Sequence, residues 1–155
     1  IFEGTLKQNV CCFSNDYSNE QILNALSISQ LDGFLKEKGG LDFEIKQYGA
    51  NISGGQKQRI NIARTILKPA SVYIFDDSFS ALDFLTESAL RNELNRYLKG
   101  KTQIIVTQRI ATAMKCDRAV VMDEGEIVAV GTHKQLLNEC EIYQELYRSQ
   151  LGGAL

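Results

Sequence analysis

Apolar residues recur at two different periods along this chain of 155 residues, and the switches between them predict alternating helices and strands. Ser18 followed by Gln21 has capping-box spacing, and Ile22, Ala25, Leu26 and Ser29 then mark one helical face. A second short helix is predicted over 31–38, closed by Gly39-Gly40. A turn-rich stretch, Gly49-Ala50-Asn51, leads to helical spacing over 56–67, where Ile60, Ala63 and Leu67 fall on one side until Lys68-Pro69 stops the pattern. Val72-Tyr73-Ile74-Phe75 is a continuous apolar run rich in β-formers, as expected of a buried parallel strand. Leu90, Leu94 and Leu98 stripe another helix, and strands are predicted over 103–107 and 119–122. Asp123-Glu124-Gly125 turns the last of these into a hairpin with 126–130. Thr132 with Gln135 caps a further helix, and another covers about 141–151. Strands alternating with helices imply an α/β layer architecture with a parallel sheet.

Composition narrows the function classes. Seventeen Lys and Arg against nineteen Asp and Glu give a net charge of −2, which argues against nucleic acid as a partner. No apolar run approaches the roughly 20 residues that span a bilayer. Cys11, Cys12, Cys116 and Cys140 form no C-x-x-C pair, and with His133 as the single histidine they supply no zinc site. They are expected to be reduced thiols. The opening residues, Ile1-Phe2-Glu3-Gly4-Thr5, have the texture of a domain interior.

Candidate chemistry begins at Ile52-Ser53-Gly54-Gly55-Gln56. Glycines let backbone approach a ligand without a Cβ in the way, and a helix start presents N–H groups and a positive dipole end to an anion such as phosphate. A glycine turn with a serine N-cap is the alternative for this pentapeptide alone. Further on, the strand at Val72 ends in Asp76 and Asp77. Ligands collect at the carboxyl ends of parallel strands, so acids there can hold magnesium beside a nucleotide; the alternative is an aspartate capping the next turn. Ser80-Ala81-Leu82-Asp83 follows at once.

From Ile52 to Asp83 the sequence resembles the signature motif, Walker B strand and D-loop of an ABC transporter nucleotide-binding domain. Phe2, Gly4, Thr5, Asn9 and Val10 resemble the segment after the Q-loop of exporter-type members, and Gly125-Glu126-Ile127-Val128 and Gly131-Thr132-His133 resemble the end of the domain. The resemblance implies the second part of a P-loop NTPase (RecA-like) parallel-sheet core, residues 59–155, with the α-helical signature subdomain at 1–58. It further implies ATP and Mg2+ as ligands, and as partners a second nucleotide-binding domain and the transmembrane domain of the same exporter. Its implied place is the cytoplasmic face of the plasma (inner) membrane. By the same resemblance Ser53, Gly54, Gly55 and Gln56 contact ATP held by the opposite domain, Asp83 lines the dimer interface, and Asp76 anchors magnesium through water.

Two departures from the family pattern are informative. The catalytic position after the Walker B aspartate, usually glutamate, holds Asp77, and the switch-histidine position holds Gln108 in Ile105-Val106-Thr107-Gln108-Arg109. Gln47 stands near where exporters often carry a glutamate. Asp77 is one methylene short, and glutamine cannot carry a proton. Together they resemble the degenerate half of a heterodimeric exporter, with a different chain as partner, while the signature motif is intact. His133, at a capped helix start, is expected to be structural. A soluble ABC-type ATPase that moves no solute and a regulatory dimerisation module remain alternatives. The phosphate-binding G-x-x-x-x-G-K-[ST] loop does not occur in these residues. Residues 1–155 are therefore expected to be the later portion of a nucleotide-binding domain, inactive and only marginally stable in isolation.

Overall fold

The computed structural model describes residues 1–152. The chain divides into two compact units, Ile1–Val106 and a second that begins at Thr107.

The first unit opens with β1 (Gly4–Thr5) and α1 (Leu6–Cys11), followed by α2 (Asn19–Ile28), α3 (Asp32–Lys38) and β2 (Glu44–Ile45). A 3-10 turn at Gln47–Gly49 leads into α4 (Gly54–Leu67), then β3 (Val72–Asp76), α5 (Phe84–Tyr97) and β4 (Thr102–Val106). Helices α1, α2 and α4 start in the same way. Thr5, Ser18 and Ser53 each accept the N–H of a glutamine three residues on, whose side chain accepts the cap's own N–H. Each box thereby satisfies two groups that a helix start would otherwise leave without partners. Between the helices lies one continuous apolar core, including fully buried Leu6, Ile22, Leu26, Ile60, Leu90 and Leu94. Asn9 is fully buried and acts as a polar hub: its side chain exchanges hydrogen bonds with both backbone groups of Phe2 and also donates to the Thr5 carbonyl. Gly4, Thr5 and Asn9 of the opening segment therefore have a local structural task. Gly4 also sits at φ 135°, open to glycine alone at little cost.

Strands β3 and β4 pair in parallel, with Val72 opposite Thr102 and Asp76 opposite Val106, and α5 forms the crossover between them. The expectation of a fully buried strand fails here. Tyr73 and Phe75 are buried in the core, but Val72 is 49% and Ile74 62% exposed, and Ile104 and Val106 on β4 are also about half exposed. Side chains alternate across a strand, and among the described residues the apolar core covers only one of its faces.

The second unit contains α6 (Ile110–Ala113), β5 (Ala119–Asp123), β6 (Glu126–Gly131), α7 (His133–Glu139) and α8 (Glu141–Leu151). Strands β5 and β6 form the expected hairpin, antiparallel, with an irregularity between Val121 and Met122. Among the described residues the predicted parallel sheet is thus limited to β3 and β4, because the third strand pairs only with its hairpin neighbour. Helix α7 is capped by Thr132 and Gln135 as expected. A small core gathers Ile110, Val121, Leu136, Cys140 and Tyr143.

Candidate functional site

The signature residues sit at the first turn of α4. Ser53 Oγ accepts the Gln56 N–H at 3.2 Å, and Gln56 Oε1 accepts the Ser53 N–H at 2.8 Å. The capping reading and the ligand reading are compatible. An accepting Ser53 hydroxyl still has its own hydrogen to donate, and the Gln56 amide retains its NH2. The helix start also leaves the Gly54 and Gly55 N–H groups with no acceptor inside the helix. Ser53 and Gly54 are exposed.

Both glycines are packed against the turn that follows β3. A Cβ on Gly55 would meet the Ala81 carbonyl oxygen at 3.1 Å and Leu82 at 3.4 Å, and one on Gly54 would touch Ala81 at 3.7 Å. Neither requires a left-handed backbone, so close approach is the reason for glycine at position 55.

Asp76 ends β3 and Asp77 begins the turn, both exposed. Asp77 lies at φ 45°, in the left-handed region where aspartate is among the better-tolerated residues. Its N–H continues the parallel ladder by donating to the Val106 carbonyl at 3.0 Å. Its carbonyl accepts from the Ser80 hydroxyl at 3.0 Å and from the Gln58 amide at 3.2 Å. Among the described residues no group of three or more His, Cys, Asp or Glu could hold a metal by itself. One or two carboxylates at a strand end do suit magnesium, which keeps several waters and takes its remaining ligands from phosphate oxygens.

Asp83 caps α5, its Oδ1 accepting the Thr86 N–H at 2.9 Å. The hydrogen bonds from Thr86 hold its carboxyl below the ordinary range. Arg59, one turn into α4, donates to the Gln30 carbonyl at 2.7 Å and to the Gly55 carbonyl at 3.3 Å. Burial lowers its pKa and the charge of Asp83 raises it. The sign of the Asp83 shift gives a pH expectation. A lowered folded pKa means that the charged cap supports α5 above the ordinary aspartate value of about 3.9 and is lost as pH falls through the lowered one. In a titration followed by NMR, the Asp83 carboxyl carbon should show a midpoint below that value. A midpoint at or above it would remove the charged cap.

In the second unit Gln108 is exposed, and its backbone carbonyl accepts the Gln150 amide at 2.7 Å. Gln150 Oε1 also takes the Ile110 N–H, so α8 holds the backbone on which Gln108 sits. His133 opens α7 with Nδ1 3.0 Å from the Tyr143 hydroxyl and its ring against Tyr143 and Tyr147. Burial raises the Tyr143 pKa, with Cys116 adding to the effect. Gln47 lies in the 3-10 turn before the signature. The four cysteines are free thiols, with Cys11 and Cys140 buried. Gln58 carries no local signal in the sequence, because its partners lie 19 to 23 residues away.

Known proteins resemble this chain over nearly its whole length. The family model described as ABC transporter matches residues 3–80. An uncharacterized ABC transporter ATP-binding protein, YfiB, of Bacillus subtilis is 40% identical over 153 residues, covering 98% of this chain and 26% of its own length. An ATP-dependent lipid A-core flippase of Vibrio vulnificus is 36% identical over 154 residues, covering 98% of this chain and 26% of its own. A bacterial Atm1-family ABC exporter solved with ATP bound superimposes with a TM-score of 0.92 at 29% identity, covering 97% of this chain and 27% of that one. The chain thus spans about a quarter of the length of these relatives. It belongs to the ABC transporter family.

Proposed function

We propose that this chain is part of the ATP-driven motor of an exporter, working at the cytoplasmic face of a membrane with a transmembrane domain and a second nucleotide-binding domain. The observation that carries this reading is the signature turn at Ser53–Gln56, whose Gly55 lies close against the Ala81 carbonyl in the turn that follows Asp76 and Asp77. Residues 1–58 serve as the signature-bearing part and 59–155 as the later part of the ATPase core. ATP with Mg2+ supplies the phosphoanhydride bond and the charge that these groups bind.

In this reading the Ser53 hydroxyl, the Gln56 amide and the Gly54 and Gly55 N–H groups bind phosphate oxygens of the nucleotide on the opposite domain. Asp76 would hold magnesium, which would offset the charge of the phosphates. Asp77 orients the attacking water in the chain's own site, and Gln108 offers a hydrogen bond to phosphate where a histidine would also carry a proton. Asp83 faces the partner across the dimer. Because Asp77 is short and Gln108 cannot carry a proton, the own site turns over slowly, while the intact signature serves a competent site on a different chain.

Ser53→Ala in the full-length protein assembled with its partner tests this. Removing one donor from the transferring phosphate should lower ATP turnover by about 10²-fold, with the assembly intact by size-exclusion chromatography. Unchanged turnover would sink the reading. Asp77 and Gln108 also favour a second reading, a module that dimerises on ATP without hydrolysis; its mark would be nucleotide-dependent assembly with no turnover even beside the natural partner.

A further inference from the structure

Gln58 lies two residues past the signature on α4, and its carboxamide is committed at both ends. Nε2 donates to the Asp77 carbonyl at 3.2 Å and to Ser80 Oγ at 2.9 Å, while Oε1 accepts the Ala81 N–H at 2.9 Å. Ser80 Oγ itself donates to the Asp77 carbonyl at 3.0 Å. One side chain of the signature helix thus hydrogen-bonds the turn 77–83 from its first residue to its fifth.

Asp77 is the only residue of that turn at positive φ. A non-glycine residue there persists only where its surroundings over-determine it. The surroundings are explicit: the Val106 carbonyl accepts the Asp77 N–H, and Gln58 and Ser80 donate to its carbonyl. Removing Gln58 would leave the Ala81 N–H without its acceptor and the Asp77 carbonyl with fewer donors. It would leave α4 itself intact, since Gln58 is only half-buried and is not a cap.

We propose that Gln58 is a positioning residue, a latch that makes the signature turn at Ser53–Gln56 and the backbone of Asp77 move as one piece. The inference rests on the ATPase reading above and deepens it. A shift of the signature turn on a partner's nucleotide is then transmitted through the Gln58 amide to the carboxylate of the chain's own site. The latch needs a donor and an acceptor on one group of this length. Methionine has the length but no donor and only a weakly accepting sulfur. Glutamate keeps the acceptor but sets a negative charge against the Asp77 carbonyl and the Ser80 oxygen.

Two measurements on the full-length protein assembled with its partner test the latch, using Gln58→Met and Gln58→Glu. Steady-state ATPase should show kcat reduced by about 10- to 100-fold, as for a modest misplacement of a reacting group, with KM for ATP within about twofold. Hydrogen exchange read by mass spectrometry should show the Ala81 amide exchanging about tenfold faster, with peptides from 90–98 unchanged as a report of an intact fold. Parental kcat in Gln58→Met would overturn the proposal, because side-chain volume alone would then suffice. Unaltered Ala81 protection would overturn it as well. Faster Ala81 exchange in an assembly whose parental form turns over no ATP would keep the latch and overturn the ATPase reading.

Discussion

Gly55→Val in the full-length protein is expected to reduce ATP turnover by about 100-fold or more while the assembly still forms. A Cβ at this position would stand 3.1 Å from the Ala81 carbonyl, a backbone atom that cannot rotate aside, and 3.4 Å from Leu82. Valine adds two methyl groups beyond that Cβ. One side must yield, either α4 at its first turn or the turn 77–83, and both carry proposed site residues. The added side chain also crowds the N–H groups through which a helix start binds an anion. Gly33→Ala provides the contrast. Gly33 lies in α3, and a Cβ there would meet nothing within 4 Å, so that variant should keep full turnover and gain about 0.5–1 kcal/mol of stability from helix propensity. Equal activity of the two variants would show that the approach of Gly55 to Ala81 has no part in the reaction.

The contrast between these glycines illustrates what the sequence could and could not convey. The caps at Ser18, Ser53 and Thr132 were legible because a capping box is a contact over three residues and needs nothing else. The hairpin after Val121 was legible from Asp123-Glu124-Gly125 for the same reason. Pairing of Gly4 with Ile45 was not, since two-residue strands carry no period and these two residues lie 41 positions apart. Val72–Phe75 shows the opposite failure. Its composition says buried, but burial depends on what lies over each face, and only Tyr73 and Phe75 find the core. In the site, Ser53–Gln56 and Asp76–Asp77 stood out because their types suit phosphate and metal. Gln58 is chemically ordinary, and only the fold brings the turn 77–81 to it. Nor does spacing reveal that His133 meets Tyr143; it takes the packing of α7 on α8.

Asp77→Glu together with Gln108→His should raise turnover of the assembled protein by about 10- to 100-fold at the site proposed to be slow. The backbone of Asp77 is held on both sides, by Val106 through its N–H and by Gln58 and Ser80 through its carbonyl. With that origin pinned, side-chain length decides where the carboxylate lies, and one more methylene carries it about 1.5 Å farther. That is the scale on which a general base gains or loses its water. Glutamate tolerates φ 45° less well than aspartate, so the single Asp77→Glu change should lose some stability even as it gains reach. Gln108→His changes a side chain that is exposed, on a backbone that Gln150 holds through the carbonyl of 108 and the N–H of 110, so the substitution leaves the local chain in place. Histidine adds a group that exchanges a proton near neutral pH, which glutamine cannot do. The gain should therefore be larger for the pair than for either change alone, and the turnover of the double variant should acquire a pH dependence near the histidine range that the parent lacks. Turnover that stays at the parental level, with ATP still bound, would mean that neither Asp77 nor Gln108 limits the chemistry and would overturn the slow-site proposal.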